Sequence, residues 1–169
     1  MSTAAAKSKS GSNWEKILKE RLPLFGHRNW IVVADSAYPA QSRAAIETVW
    51  SGADQVAVLK KVTAALWASA HVTPIIHADQ ELSFVSEKDA PGINAYREKL
   101  TALVGAEIQY TPHEEIIAML DGAAELFKVL IVKTTMTIPY TSVFFQLGCS
   151  YWSAGAEKRL RSAIEAAKS

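Results

Sequence analysis

Two groups able to handle protons or hydroxyls bracket one apolar run. In "LFGHRNWIVVADSAYP", residues 24–39, His27 precedes the run and Asp35 closes it. An imidazole with an ordinary pKa of about 6.5 can take or give a proton near neutrality. A carboxylate accepts hydrogen bonds from hydroxyl groups. In open α/β sheets ligands collect beyond the carboxyl ends of strands, which is where Asp35 stands if the run is a strand. Two readings remain for each residue. Asp35 either faces a ligand or caps the "SAYPAQ" turn or the next helix. His27 is either a proton-transfer group or a loop histidine bonded to backbone.

A second set lies further along. His113 follows Pro112 at the start of "PHEEII", in the first turn of an expected helix. The positive end of a helix favours a neutral imidazole, suited to a base or hydrogen-bonding role; a solvated first-turn residue is the alternative. Tyr140 lies in the turn "IPYTS", where a phenol either closes the turn or bonds a sugar hydroxyl. Trp30, Trp50 and Trp152 offer flat apolar faces of the kind that stack on sugar C–H groups, although Trp50 and Trp67 are assigned to the core first.

Other chemistries lack their motifs. There is no Gly-rich phosphate loop, GxGxxG or GxSxG. "HEEII" lacks the second histidine of a zinc protease. His71 and His77 would share a face of a regular strand, yet no cysteine or further histidine completes a metal set. No cofactor and no metal are therefore expected. The single cysteine, Cys149, cannot form an internal disulfide, which fits a reducing compartment; its apolar setting "VFFQLGC" reads as a buried structural thiol.

These groups need a scaffold, and 169 residues suit one domain with a sizeable core. Eighteen basic residues against seventeen acidic ones give a net charge of +1, so no charge field points to nucleic acid. Residues 1–12, "MSTAAAKSKSGS", are small and polar, without the apolar core of a signal peptide, and read as a disordered tail. No apolar run approaches the roughly 18 residues of a membrane span, and a cytoplasmic location is expected.

"WEKILKERL" places Trp14, Ile17, Leu18 and Leu22 on one helical face before Pro23. "NWIVVAD" reads as a buried strand. "AYPAQSRAAIETVW" reads as a proline turn leading into a helix that ends near Gly52. "DQVAVLKKVTAALWASA" keeps helical spacing at Val58, Val62 and Leu66. "HVTPIIHAD" reads as a strand made an edge or irregular one by Pro74. A helix in "PGINAYREKLTALVG" stops at Gly105. There follow a strand "AEIQYT", a helix "PHEEIIAMLDGAAELF", two strands "KVLIVKTT" and "SVFFQLGC", and an amphipathic helix "AEKRLRSAIEAAKS". Its stripe of Leu160, Ile164 and Ala167 is expected to pack on its own domain or on a neighbouring subunit. The alternation implies a single-domain α/β fold with a largely parallel sheet flanked by helices. The domain spans residues 13–150, with a helical extension over 151–169.

Three segments in order resemble the D-ribose pyranase and L-fucose mutarotase family. "LFGHRNWIVVADSAYP" resembles its N-terminal signature of Gly-His, short apolar strand, Asp, small residues and Pro. "IQYTPHEEI" resembles its central segment, with a histidine pointing to the ribose branch. "IPYTSVFFQLGC" resembles its closing segment. The similarity runs from about Leu18 to Gly148.

The resemblance implies a pyranase-like fold and cofactor-independent interconversion of the ring forms or anomers of a free sugar. It implies His27 as the proton-transferring histidine and Asp35 as a hydroxyl-binding carboxylate. It also implies His113 as a substrate contact and Tyr140, Thr141 and Ser142 as the substrate-binding turn. The partners implied are a monosaccharide and further copies of the chain, since the family builds its sites at contacts within ring-shaped homo-oligomers; neither nucleic acid nor membrane is expected. Ser142 stands where the family turn usually carries asparagine, and the stretch from His113 to Tyr140 is longer than in ribose members. The last twenty residues pass the usual end. A non-catalytic monosaccharide-binding or regulatory protein on the same fold is the alternative.

Overall fold

The computed structural model describes residues 13–168; the tail expected over residues 1–12 lies outside them. Six strands form one sheet: β1 (Trp30–Ala34), β2 (Ile46–Trp50), β3 (Val72–Asp79), β4 (Ile108–Thr111), β5 (Val129–Lys133) and β6 (Val143–Cys149). Among the described residues five α-helices accompany them: α1 (Trp14–Arg21), α2 (Gln55–Trp67), α3 (Ile93–Val104), α4 (His113–Ala123) and α5 (Ala154–Lys168). The strand order is β2-β5-β1-β6-β3-β4. β1 and β2 run parallel to β5, and β3 runs parallel to β4, while β6 is antiparallel to both β1 and β3. The expected α/β architecture with a largely parallel sheet is thus the observed one. Because β6 alone is reversed, its amino end arrives at the sheet edge where the other five strands have their carboxyl ends.

The two faces of the sheet are unequally covered. Ile31, Val33, Phe145 and Leu147 face a large core completed by Val58, Leu59, Val62 and Leu66 of α2 and by Tyr96 and Leu100 of α3. These α2 residues recur at three- and four-residue spacing, and Asp54 starts the helix by accepting the N–H groups of Val56 and Ala57 at 2.9 and 3.2 Å. Trp30, Val32, Ala34 and Phe144 face a smaller core under Ile116 and Leu120 of α4. The amino end of α4 therefore opens over the carboxyl edge of the sheet.

Three expectations are corrected, and the fourth, on the helical extension, loses one of its two alternatives. The helix expected after Pro39 is absent: residues 38–45 are irregular, and β2 follows. Its β-branched Ile46, Thr48 and Val49 suit the open edge of β5, and this pairing outweighs the local helical composition. Trp50 and Trp67, expected in the core, are 51% and 54% exposed, because they end an edge strand and the last turn of α2. Cys149, at the end of β6, is only half-buried. Helix α5 has no buried residue, so its apolar stripe does not pack on its own domain.

Pro74 shows how a proline enters a sheet. It pairs opposite Leu147 of β6, but β4 joins β3 only from Ile76 onward. The residue without an N–H thus lies in the half of β3 that has one neighbour. Among the described residues no helix is long and apolar enough to cross a membrane.

Candidate active site at the carboxyl edge of the sheet

β5 and β6 are not neighbours, since β1 lies between them. Residues 134–142 must therefore cross over the carboxyl end of β1. Ser36 N–H donates to Met136 O at 2.8 Å, and Thr134 N–H donates to Ala34 O at 2.8 Å, fastening this crossing. It brings Ser142 onto Asp35. The Ser142 hydroxyl donates to Asp35 Oδ2 at 2.9 Å and accepts the Asp35 N–H at 3.1 Å. Asp35 Oδ1 accepts the N–H of Ala37 at 2.9 Å, so the carboxylate also caps its own turn. Both readings of Asp35 meet in one geometry: the turn bond orients a half-buried carboxylate at the sheet edge.

Thr141 is fully buried, and its hydroxyl donates to Ile138 O at 2.7 Å. Its carbonyl accepts from Gln55 Nε2 at 2.7 Å and from Tyr96 Oη at 2.6 Å. Gln55 is 1% exposed and also donates to Val33 O at 3.1 Å, while its Oε1 accepts from Thr134 Oγ1 at 2.7 Å. One amide thus ties the ends of β1 and β5 to the turn before β6. Composition and spacing gave no sign of this role.

Tyr140 is held at φ +58°, a left-handed conformation costly for a bulky side chain. Its ring meets His113 edge-on, with centroids 5.6 Å apart and planes at 81°. His113 begins α4 as expected, and its backbone N–H is taken by the Glu81 carboxylate at 3.1 and 3.2 Å. Its Nδ1 lies 3.0 Å from Asp79 Oδ1. Asp79, the last residue of β3, is 1% exposed. Burial raises its pKa above the ordinary carboxylate value, and the bond to His113 only partly opposes this.

Tyr38 completes the cluster. It is 5% exposed, its ring is tilted against Phe144, and its hydroxyl has no hydrogen-bond partner among the described residues. Burial, with smaller contributions from Asp79 and Asp35, holds that phenol strongly protonated. Neither Asp79, Glu81 nor Gln55 was singled out by the sequence motifs. The signal for Asp79 was available only as a strand-ending carboxylate of the same kind as Asp35.

The site residues therefore divide. Asp35, His113, Tyr140, Thr141 and Ser142 converge at the carboxyl edge. His27 does not join them. It lies exposed in the turn before β1, so the whole of β1, five residues long, separates it from Asp35. At about 3.3 Å per residue that is roughly 16 Å. His71 and His77 are engaged separately. His71 Nε2 donates to Leu22 O and Phe25 O at 3.1 and 3.0 Å. His77 stacks on Trp30 with centroids 5.4 Å apart and bonds Gln146 Oε1 at 3.2 Å. Among the described residues, no group of three or more His, Cys, Asp or Glu side chains is arranged to hold a metal ion.

Solved structures share this fold. Bacillus subtilis RbsD complexed with D-ribose is 21% identical, with 88% of this chain and 98% of that chain covered and a TM-score of 0.51. The fucose mutarotase from Streptococcus pneumoniae in complex with L-fucose is also 21% identical, covering 83% and 97%, with a TM-score of 0.54. FucU from Bifidobacterium longum is 15% identical, covering 79% and 94%, with a TM-score of 0.53. No curated protein matches the chain significantly. The model of the RbsD / FucU transport protein family matches residues 15–150, which takes in every strand of the sheet and stops short of α5. The chain belongs to the RbsD / FucU transport protein family.

Proposed function

We propose that this protein is a cofactor-independent pyranase or mutarotase that interconverts ring forms or anomers of a free monosaccharide, ribose-like or fucose-like. The observation that carries the reading is the convergence of Asp35, Ser142, His113 and Tyr140 on one sheet edge. Hydroxyl-binding and proton-accepting groups stand together there. Two relatives with the same fold were solved with D-ribose and L-fucose.

The reaction passes through the open-chain aldehyde. One group removes the proton of the anomeric hydroxyl, the bond from the anomeric carbon to the ring oxygen breaks, and a second group protonates that oxygen. On closure the roles reverse. Positioned acid–base groups accelerate such steps by roughly 10²- to 10⁴-fold. Asp35 binds sugar hydroxyls, and Tyr140 and His113 contact the ring. His27, which the family resemblance assigns to proton transfer, serves the site of an adjoining subunit in a homo-oligomeric ring, because its own cluster lies at the far end of β1.

Exchange spectroscopy by NMR on equilibrated ribose, fucose and related monosaccharides tests this directly. Protein-dependent exchange between ring forms of one sugar is the expected result. His27→Ala should abolish the acceleration while the oligomer persists; unchanged exchange in that variant removes His27 from the mechanism. A second reading, a non-catalytic monosaccharide binder, draws on Ser142, which stands in place of the family's asparagine and is committed to Asp35. Saturable binding without faster exchange would establish it.

A further inference from the structure

The Asp79–His113 pair belongs to no motif of the chain, yet its geometry dictates which nitrogen of His113 is bare. Asp79 is 1% exposed and ends β3, paired with Thr111 of β4 and preceded by Ala78, which is paired on both sides, so its carboxylate has little freedom to move. The His113 ring is anchored independently. Its backbone N–H is held by Glu81, and Tyr140 packs edge-on against it. With Nδ1 at 3.0 Å from Asp79 Oδ1, an ionised Asp79 fixes the proton on Nδ1, and Nε2 keeps a free lone pair. The His113 side chain is 33% exposed, so the ring reaches the site while the carboxylate stays beneath it.

We propose that Asp79 is a positioning residue that locks His113 in the Nδ1–H tautomer, making His113 Nε2 the acceptor of the anomeric hydroxyl proton. This rests on the pyranase or mutarotase reading and gives His113 a proton-transfer role beyond substrate contact. In the opening step the O1–H proton passes to His113 Nε2 and C1–O1 becomes the carbonyl. The C1–O5 bond breaks, its electron pair stays on O5, and O5 takes a proton from the His27 imidazolium of the adjoining subunit. Closure returns both protons. Atoms and charge balance without any further reactant.

The test is ¹⁵N NMR of the histidine rings in the full chain at pH 8, with the His113 signals assigned by His113→Gln. The expected wild-type pattern is a protonated Nδ1 and a bare Nε2. A protonated Nε2 in the wild type overturns the proposal, and that result does not depend on any substitution at Asp79. Asp79→Leu removes the acceptor and fills its buried space with an apolar group, and the partner it leaves behind, His113, is exposed enough to bond water instead. The Nδ1–H preference of His113 should then be lost, and kcat for anomer exchange should fall by roughly 10²-fold with KM changed much less. An unaltered tautomer in that variant, or a change in KM alone, overturns the proposal. If the wild-type protein accelerates exchange of no sugar, the functional reading fails separately, and the ring spectrum still decides the tautomer.

Discussion

The Ser142 hydroxyl holds both the carboxylate and the backbone N–H of Asp35, two residues 107 positions apart in the chain. This is the junction between the end of β1 and the start of β6, and Ser142 is 2% exposed. Ser142→Ala frees the Asp35 carboxylate to leave its orientation and deprives the Asp35 N–H of its partner. Loss of such a bond costs about 1 kcal/mol. Urea unfolding should register that loss, and monosaccharide affinity measured by titration calorimetry should weaken roughly tenfold. Unchanged affinity would show that Asp35 does not bind the sugar through this orientation.

Gln55 should matter to stability more than any exposed polar residue. Its amide serves Val33 O, Thr141 O and Thr134 Oγ1 in a buried position. Gln55→Leu leaves buried polar groups of three segments with fewer partners. We expect a destabilisation of about 2–4 kcal/mol. Thermal unfolding checks this, and a loss below about 1 kcal/mol would mean that the three segments hold together without the amide.

Tyr140 carries backbone strain at the site, with φ at +58°. Tyr140→Gly removes a left-handed penalty of about 1–2 kcal/mol but gives the unfolded chain more freedom, worth about 0.5–1 kcal/mol. The glycine variant should therefore remain within about 1 kcal/mol of wild type. Tyr140→Val keeps the strain with a β-branched side chain and should be the less stable of the two. Both variants lose the edge-on contact with His113 and should bind sugar more weakly. A glycine variant that unfolds far more easily than the valine variant would contradict the strain argument.

Acid should destabilise the protein partly through His77. Burial lowers its pKa, against a smaller opposing effect of the bond to Gln146. Between the unfolded value of about 6.5 and the lower folded value, the unfolded chain binds the extra proton, so stability falls as pH falls. One such group contributes at most about 1.4 kcal/mol per pH unit. Asp79 has the opposite sign. Its raised pKa lets the folded state bind the extra proton, and that contribution is lost as pH rises from about 3.8 through the folded value. His77→Phe preserves the stack on Trp30 and removes the titration. Its stability should change less than that of wild type between pH 7.5 and pH 5.5 in urea unfolding. Equal changes in the two proteins would assign the acid sensitivity to other groups.

The sequence by itself determined the elements and the family. Valine and isoleucine runs marked β1 and β5, and helical spacing marked α2, α3 and α4. Three ordered motifs tied the chain to the RbsD / FucU family, because these signals are local and survive without neighbours. Where a partner strand decides conformation, local composition misled: the Ala-rich stretch before Trp50 ends in β2 because β5 offers an open edge. Tertiary structure alone decided who meets whom. The crossing of residues 134–142 over β1 brings Ser142 to Asp35, and the pairing of β3 with β4 brings Asp79 beneath His113, 34 positions away. It also set His27 apart from the cluster that its place in the motif suggested it would join. A rigid strand of five residues keeps its two ends apart however close they stand in sequence.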